Sequence, residues 1–317
     1  MPKVVEDKFN PFNSIKLFGH QDYFNNLLKL YNNKRFPKVL MLSGSKGSGK
    51  FTLAFHIINC FFAQKGKESY DLKNLNINTN NNFYKKIKSN LNENFCYLGK
   101  TNNKKIGIDE IRSIKSKFNT NSFNNEPRFT ILDDADLLNT NSANSLLKLI
   151  EEPSDLNYFI LINNKRKKII DTLKSRSLEV KIFLKKKEKE DIMNKLIDRF
   201  SVTNKFYFKY IDTTTPGNLI RILDCLNELN IKYSENFHNT AEILLDKFKK
   251  DKNDIYIETI KFILDVRINQ ILISKNFNLL KLNIYKRKIL NLLFEFENFN
   301  LSKNSVLEFF RTKTHNV

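Results

Sequence analysis

Gly44, Ser45, Lys46, Gly47, Ser48, Gly49 and Lys50 form the stretch of this chain whose chemistry is plainest. Glycines and a closing lysine at this spacing fit the phosphate-binding pattern G-x-x-x-x-G-K-[ST] up to its last position, where Phe51 stands in place of Ser or Thr. The glycines let backbone N–H groups curl around phosphate oxygens, and the lysine ammonium adds a point charge for the β- and γ-phosphates. Phe51 has no hydroxyl to offer a Mg²⁺ ion, so binding a nucleotide and hydrolysing it are separate questions here. Thr52 supplies the nearest hydroxyl, but it lies one residue on, about 100° further round a helix.

A second set of residues follows in the order a nucleotide site needs. The apolar run Arg128–Asp133 reads as a buried strand that ends in a carboxylate. Asp133 then takes the metal-side position; ATPases of the AAA+ class usually carry next a Glu that orients the attacking water, and Asp134 resembles it with one methylene fewer. Asn163 closes the next apolar run and can reach a γ-phosphate or the attacking water. Arg176, between Ser175 and Ser177, follows a helix; its planar fork suits bidentate phosphate recognition. Taken singly, an Asn after a strand is a turn former and a surface Arg is a solvated charge. Their order behind the loop gives them weight.

The elements that must hold these residues alternate. Residues 22–32 have helical spacing of Phe24, Leu27, Leu28 and Tyr31. A strand at 38–42 leads into the loop, and Leu53, Ala54, Ile57, Ile58 and Phe61 mark the helix after it. Residues 64–94 are rich in Lys and Asn and read as an irregular insertion. A strand at Phe95–Leu98, a helix through Ile108, Ile111, Ile114 and Phe118, the strand ending at Asp133, a helix over 140–152 and a strand at Tyr158–Ile162 complete an α/β layer with a parallel sheet. Beyond about residue 185 helical segments dominate, at 188–200, 217–229, 239–250, 254–274, 279–297 and 303–311. The expected organisation is an α/β nucleotide-binding domain over 1–165, a small helical lid over 166–225 and an all-α domain over 226–317, with no internal repeat.

Composition narrows the setting. The 317 residues suffice for two or three cores. The first residues lack the apolar stretch of a signal peptide, and no apolar run approaches the roughly 18 residues of a membrane span, so a cytoplasmic protein without membrane contact is expected. The 3 cysteines, Cys60, Cys96 and Cys225, are scattered; with 4 scattered histidines they give neither a disulfide framework nor a zinc site. A formal charge of +20 permits a nucleic-acid partner without requiring one, because coding bias toward Lys, Asn, Ile and Phe also raises the charge of a chain with no functional demand for it.

These motifs together resemble the clamp-loader ATPases of the AAA+ class, collinearly from Leu17 to Val180, and most of all their bacterial DNA polymerase III delta-prime branch. Phe18, Gly19, His20 and Gln21 resemble the box ahead of the family's first helix. Leu132, Asp133, Asp134, Ala135 and Asp136, followed by the helix from Asn144 to Pro153, resemble its DDAD-like box and "LLK..EEP" helix. Thr172 to Ser177 resembles its Ser-Arg-Cys motif, with Ser177 in place of Cys. Thr215 to Arg221 resembles the start of a second sensor helix, with Asn218 at the usual Arg position and Arg221 a turn later.

The resemblance implies a stator in a hetero-oligomeric ring with motor (gamma/tau) and delta subunits, which loads a sliding clamp on primed DNA. It implies that Arg176 acts on a neighbour's ATP and that the C-terminal domain is a collar. ATP or ADP bound at residues 44–52 is compatible with it; Mg²⁺ is left open. Two other readings remain: an ATP-hydrolysing motor subunit, which would need Thr52 to replace the missing hydroxyl, and an unrelated phosphate-loop kinase.

Overall fold

In the computed structural model, residues 8–63, 69–99, 106–118, 126–151, 155–202, 206–232, 236–273, 279–299 and 301–312 are described. The chain divides into two compact units, Met1–Ile192 and Met193–Val317.

The first unit is built on five parallel strands. In chain order its elements are α1 (Gln21–Asn32), β1 (Val39–Ser43), α2 (Lys50–Ala63), α3 (Asn82–Lys88), β2 (Phe95–Leu98), α4 (Ile108–Phe118), β3 (Arg128–Leu132), α5 (Thr140–Ile150), β4 (Asn157–Asn163), α6 (Asp171–Ser175), β5 (Leu178–Lys181) and the start of α7 (Lys186–Phe200). The strands lie in the order β2-β3-β4-β1-β5. Every pairing is parallel, with Ser43 beside Asn163 and Leu42 beside Val180.

Parallel strands covered on both faces must be apolar on both. Alternation along β1 sends Leu40 and Leu42 into one core, with Phe24, Phe55, Ile58 and Phe129. It sends Val39 and Met41 into the other, with Ile111, Leu146 and Leu161. Helix α2 is buried nearly all round, from Lys50 and Phe51 to Ala63, as its apolar sequence requires.

Two expectations need correction. Residues 64–94 are not irregular throughout, because α3 forms within them: Asn81 caps it by accepting from the Phe83 N–H, and Phe83, Tyr84 and Ile87 bury its inner face. The sheet also has a strand, β5, beyond residue 165, the boundary read from the sequence.

The second unit is helical: the rest of α7, a 3₁₀ helix at Phe206–Thr213, α8 (Pro216–Glu228), α9 (Phe237–Asp251), α10 (Asp254–Ile273), α11 (Leu279–Phe299) and α12 (Lys303–Thr312). Leu223, Leu244, Ile260, Leu293 and Phe310 are buried there. Lys303 of α12 pairs with Glu242 and Asp246 of α9, at 3.2 and 2.9 Å. Among the described residues no helix is long and apolar enough to cross a membrane.

Candidate functional site

The loop between β1 and α2 sits at the carboxyl end of the central strands, where open α/β sheets place their ligands. It is pinned on both sides: Gly44 N–H donates to Asn163 O at 3.1 Å, and Ile182 N–H donates to Ser43 O at 2.7 Å. Gly47 and Gly49 adopt φ of 76° and 84°, a region that L side chains rarely enter. The ammonium of Lys50 donates to Gly44 O at 2.9 Å and Ser45 O at 2.7 Å, and reaches Ser48 Oγ at 3.4 Å. Burial pulls its pKa down to about 8, against the pull of the Asp133, Asp136 and Asp134 carboxylates. Ser45 is exposed, Lys46 and Gly47 partly so, and Ser48 is buried. The opening turn of α2 thus joins free-ended backbone N–H groups to a partly desolvated ammonium, an arrangement suited to phosphate.

His20 also belongs to this site, although the sequence gives it no role beyond its box. It sits in the left-handed region, φ 60°, just before α1. Its Nε2–H donates to Ser48 O at 2.7 Å, and a Cβ on Gly49 would lie 2.8 Å from that nitrogen. His20 is therefore a clamp on the loop, and Gly49 is required by both φ and space. Burial lowers the His20 pKa, and its Nδ1 is buried without a partner.

On the metal side the arrangement changes character. Phe51 is 7% exposed, its ring edge-on to Phe12 at 4.9 Å and to Tyr97 at 5.3 Å. The side chain after Lys50 has become part of the hydrophobic core. Thr52 is half-buried on the next position of α2. Burial and then the nearby Asp133 and Asp134 carboxylates push the Tyr97 phenol up, so an aromatic cluster borders the acidic strand end.

The acids are themselves occupied. Asp133 Oδ1 accepts from the Asp134 N–H at 2.9 Å. Asp134 lies in the left-handed region, φ 60°, and its Oδ1 accepts from Asn164 Nδ2 at 2.6 Å and pairs with the Arg166 guanidinium. Asp136 accepts the backbone N–H groups of Asn164 at 3.0 Å and Arg166 at 2.8 Å. Desolvation and the Asp134 charge push Asp133 up to about 6. Asn163 does not face this group: its Nδ2 donates to Ser43 Oγ at 3.1 Å and its Oδ1 accepts from Lys165 N–H at 2.9 Å. The amide that meets the acids is Asn164, one residue further, which reaches Asp133 Oδ1 at 3.4 Å. A one-residue step at a strand end reverses the side on which a side chain lies.

Mg²⁺ takes hard oxygen ligands in near-octahedral geometry. Here Phe51 gives no oxygen, Asp134 and Asp136 are held by Arg166, and Asp133 Oδ1 is engaged by the Asp134 N–H. Among the described residues, no group of three or more His, Cys, Asp or Glu side chains is placed to hold a metal ion. The residues present do not fit the ion.

Arg176 caps α6 away from these contacts. Its Nη2 pairs with Glu151 at 3.0 Å and its Nη1 donates to Thr172 O at 3.3 Å, with 40% of the side chain exposed. Glu152 and Pro153 of the neighbouring motif lie outside the described residues. Asn218 and Arg221 lie on α8, half-buried in the second unit.

Comparison with known proteins gives similar chains in DNA replication. The Replication factor C small subunit of Methanococcus vannielii is 28% identical over 178 residues, 56% of this chain and 48% of that protein. A DNA polymerase III subunit delta' of Buchnera aphidicola is 29% identical over 225 residues, 61% of this chain and 65% of that one. The DNA polymerase III subunit gamma/tau of Mycoplasma genitalium is 26% identical over 261 residues, 80% of this chain and 40% of that one. The match thus spans less than two thirds of the length of each of these relatives. Among solved structures, a gamma-subunit-related protein of Thermotoga maritima aligns with a TM-score of 0.46 and 14% identity, over 90% of this chain and 96% of that one. Residues 19–186, which hold the loop, the acidic strand end and Arg176, match the family model described as DNA polymerase III, delta subunit, and the chain belongs to that family.

Proposed function

We propose that this chain is a stator-like subunit of a clamp loader, of the delta-prime kind, that helps load a sliding clamp on primed DNA during replication. The observation that carries this reading is the state of Asp134. A carboxylate at the base position must be free to orient water, and this one is engaged by Arg166 and Asn164. Phe51 supports the same conclusion by placing an aromatic ring where a metal-side hydroxyl is needed. A motor subunit needs both groups, so the motor reading is the weaker one.

In this reading the loop keeps the capacity to hold ATP or ADP through residues 44–52, with little hydrolysis of its own. Arg176 serves a neighbouring subunit instead. Its partner, Glu151, is itself 46% exposed, and such a surface pair is worth only ~0–1 kcal/mol. A phosphate on a motor subunit therefore displaces Glu151 readily. The second unit acts as the assembly domain, with the collar over 226–317. Ile273 and Phe299 are more than 70% exposed there, as apolar surface suited to a neighbour.

The test is affinity purification of the tagged full chain from its native cell. Motor and delta subunits in stoichiometric amounts are the expected result. A chain that purifies alone, with ATPase activity abolished by Lys50→Ala, contradicts the reading in favour of a motor or kinase.

A further inference from the structure

The acidic strand end poses a charge problem that the nucleotide reading leaves unsolved. Asp133, Asp134 and Asp136 crowd one turn, and the Asp136 side chain is fully buried. Carboxylates this close need counter-charge. Lys50 contributes from the loop side, but its hydrogen bonds go to Gly44 O, Ser45 O and, at 3.4 Å, Ser48 Oγ, none of them an acid. The cation seen paired with these acids among the described residues is Arg166. Its guanidinium pairs with Asp134, and its Nε lies 3.9 Å from Asp136 Oδ2.

The segment that carries Arg166 is shaped to deliver it. Asp136 accepts the N–H groups of Asn164, Arg166 and Lys167 at 3.0, 2.8 and 3.4 Å, which folds residues 164–167 against the turn that follows β3. Lys165 takes a left-handed φ of 56°, and its N–H donates to Asn163 Oδ1. Asn164 then fills a second lone pair on Asp134. Carboxylate, amide and guanidinium thus form a closed set in which each acid except Asp133 has a fixed partner of opposite charge.

We propose that Arg166 is the resident cation of this acidic strand end, supplying from within the chain the charge balance that a divalent ion would otherwise provide, so that the site is independent of Mg²⁺. Arg suits the task because its fork is always charged and more weakly hydrated than an ammonium, and so loses less on partial burial. The geometry has a functional corollary: phosphate groups that enter the loop meet Lys50 and backbone N–H groups, and no metal bridge to Asp133.

The experiment uses the full chain as wild type, Arg166→Met, Arg166→Lys, Asp134→Asn and the Arg166→Met/Asp134→Asn double variant. Thermal melting is recorded with EDTA and with MgCl₂, and wild type is titrated with MnCl₂ by electron paramagnetic resonance. The expected results are these. Wild-type melting does not change with MgCl₂, and no stoichiometric Mn²⁺ is taken up. Arg166→Met lowers the transition of the first unit by ~3 °C or more. Arg166→Lys loses less than that, and the double variant recovers at least half of the loss. Three results would each overturn the proposal: Arg166→Met melting with wild type, a double variant whose losses simply add, or one Mn²⁺ bound per wild-type chain. Should Arg166→Met fail to fold, the Arg166→Lys melt and the wild-type Mn²⁺ titration still decide the matter.

Discussion

Asp133→Asn is expected to stabilise this protein at neutral pH. Folding pushes the Asp133 carboxyl from an ordinary 3.8 up to about 6, through desolvation first and the Asp134 charge second. A raised acid binds more protons folded than unfolded between those two values. Its contribution to stability is therefore complete below about pH 4 and is lost as pH rises through 6. At pH 7.5 the ionised group opposes folding, and at ~1.4 kcal/mol per pKa unit the cost is about 2–3 kcal/mol. Asparagine keeps an oxygen that can accept from the Asp134 N–H, as Asp133 Oδ1 does at 2.9 Å, and never ionises. Urea unfolding followed by circular dichroism from pH 4 to pH 8 gives the difference between variant and wild type directly, with all other titrations common to both. The variant should be more stable by about 2–3 kcal/mol at pH 7.5 and equal to wild type near pH 4. A variant less stable at pH 7.5, or a difference that is flat with pH, refutes the electrostatic account of this strand end.

Phe51→Thr restores the motif's hydroxyl but removes a ring packed on Phe12, Phe55 and Tyr97; chemical denaturation should show a loss of about 3 kcal/mol, and an ATPase assay no gain of turnover. Burial depresses His20, so folding prefers its neutral form, and stability is complete above the unfolded pKa of 6.5 and falls as pH drops below it. His20→Gln should remove that share of the acid sensitivity between pH 7 and 5, read from the pH dependence of the denaturation midpoint; an unchanged slope counts against the buried neutral imidazole.

The sequence was informative where chemistry and periodicity are local. The loop declares itself by its glycines, and the strands at 95–98 and 128–132 by short, mostly apolar runs between turn signals. Helix α3 escaped because only Phe83, Tyr84 and Ile87 mark its face in a Lys- and Asn-rich stretch. Strand β5 escaped because, as an edge strand, it has exposed residues at both ends and no apolar run. Asn163 and Asn164 are adjacent amides, and only the register of β4 against β1 decides which one faces the acids. Arg166 stands among Lys165, Lys167 and Lys168, and its pairing with Asp134 joins residues about thirty apart in sequence, which no local pattern encodes. The clamp of His20 on Ser48 O is likewise a tertiary contact, across 28 residues.

The proposed function rests on Arg176 acting on another subunit's nucleotide. The direct measurement is DNA-stimulated ATPase of the clamp-loader complex rebuilt with Arg176→Ala, with assembly verified by size-exclusion chromatography. An arginine supplied in trans accelerates phosphoryl transfer by ~10³–10⁵, so an intact complex whose stimulated rate falls by at least two orders of magnitude is the predicted result. An intact complex that hydrolyses ATP at the wild-type rate contradicts the account.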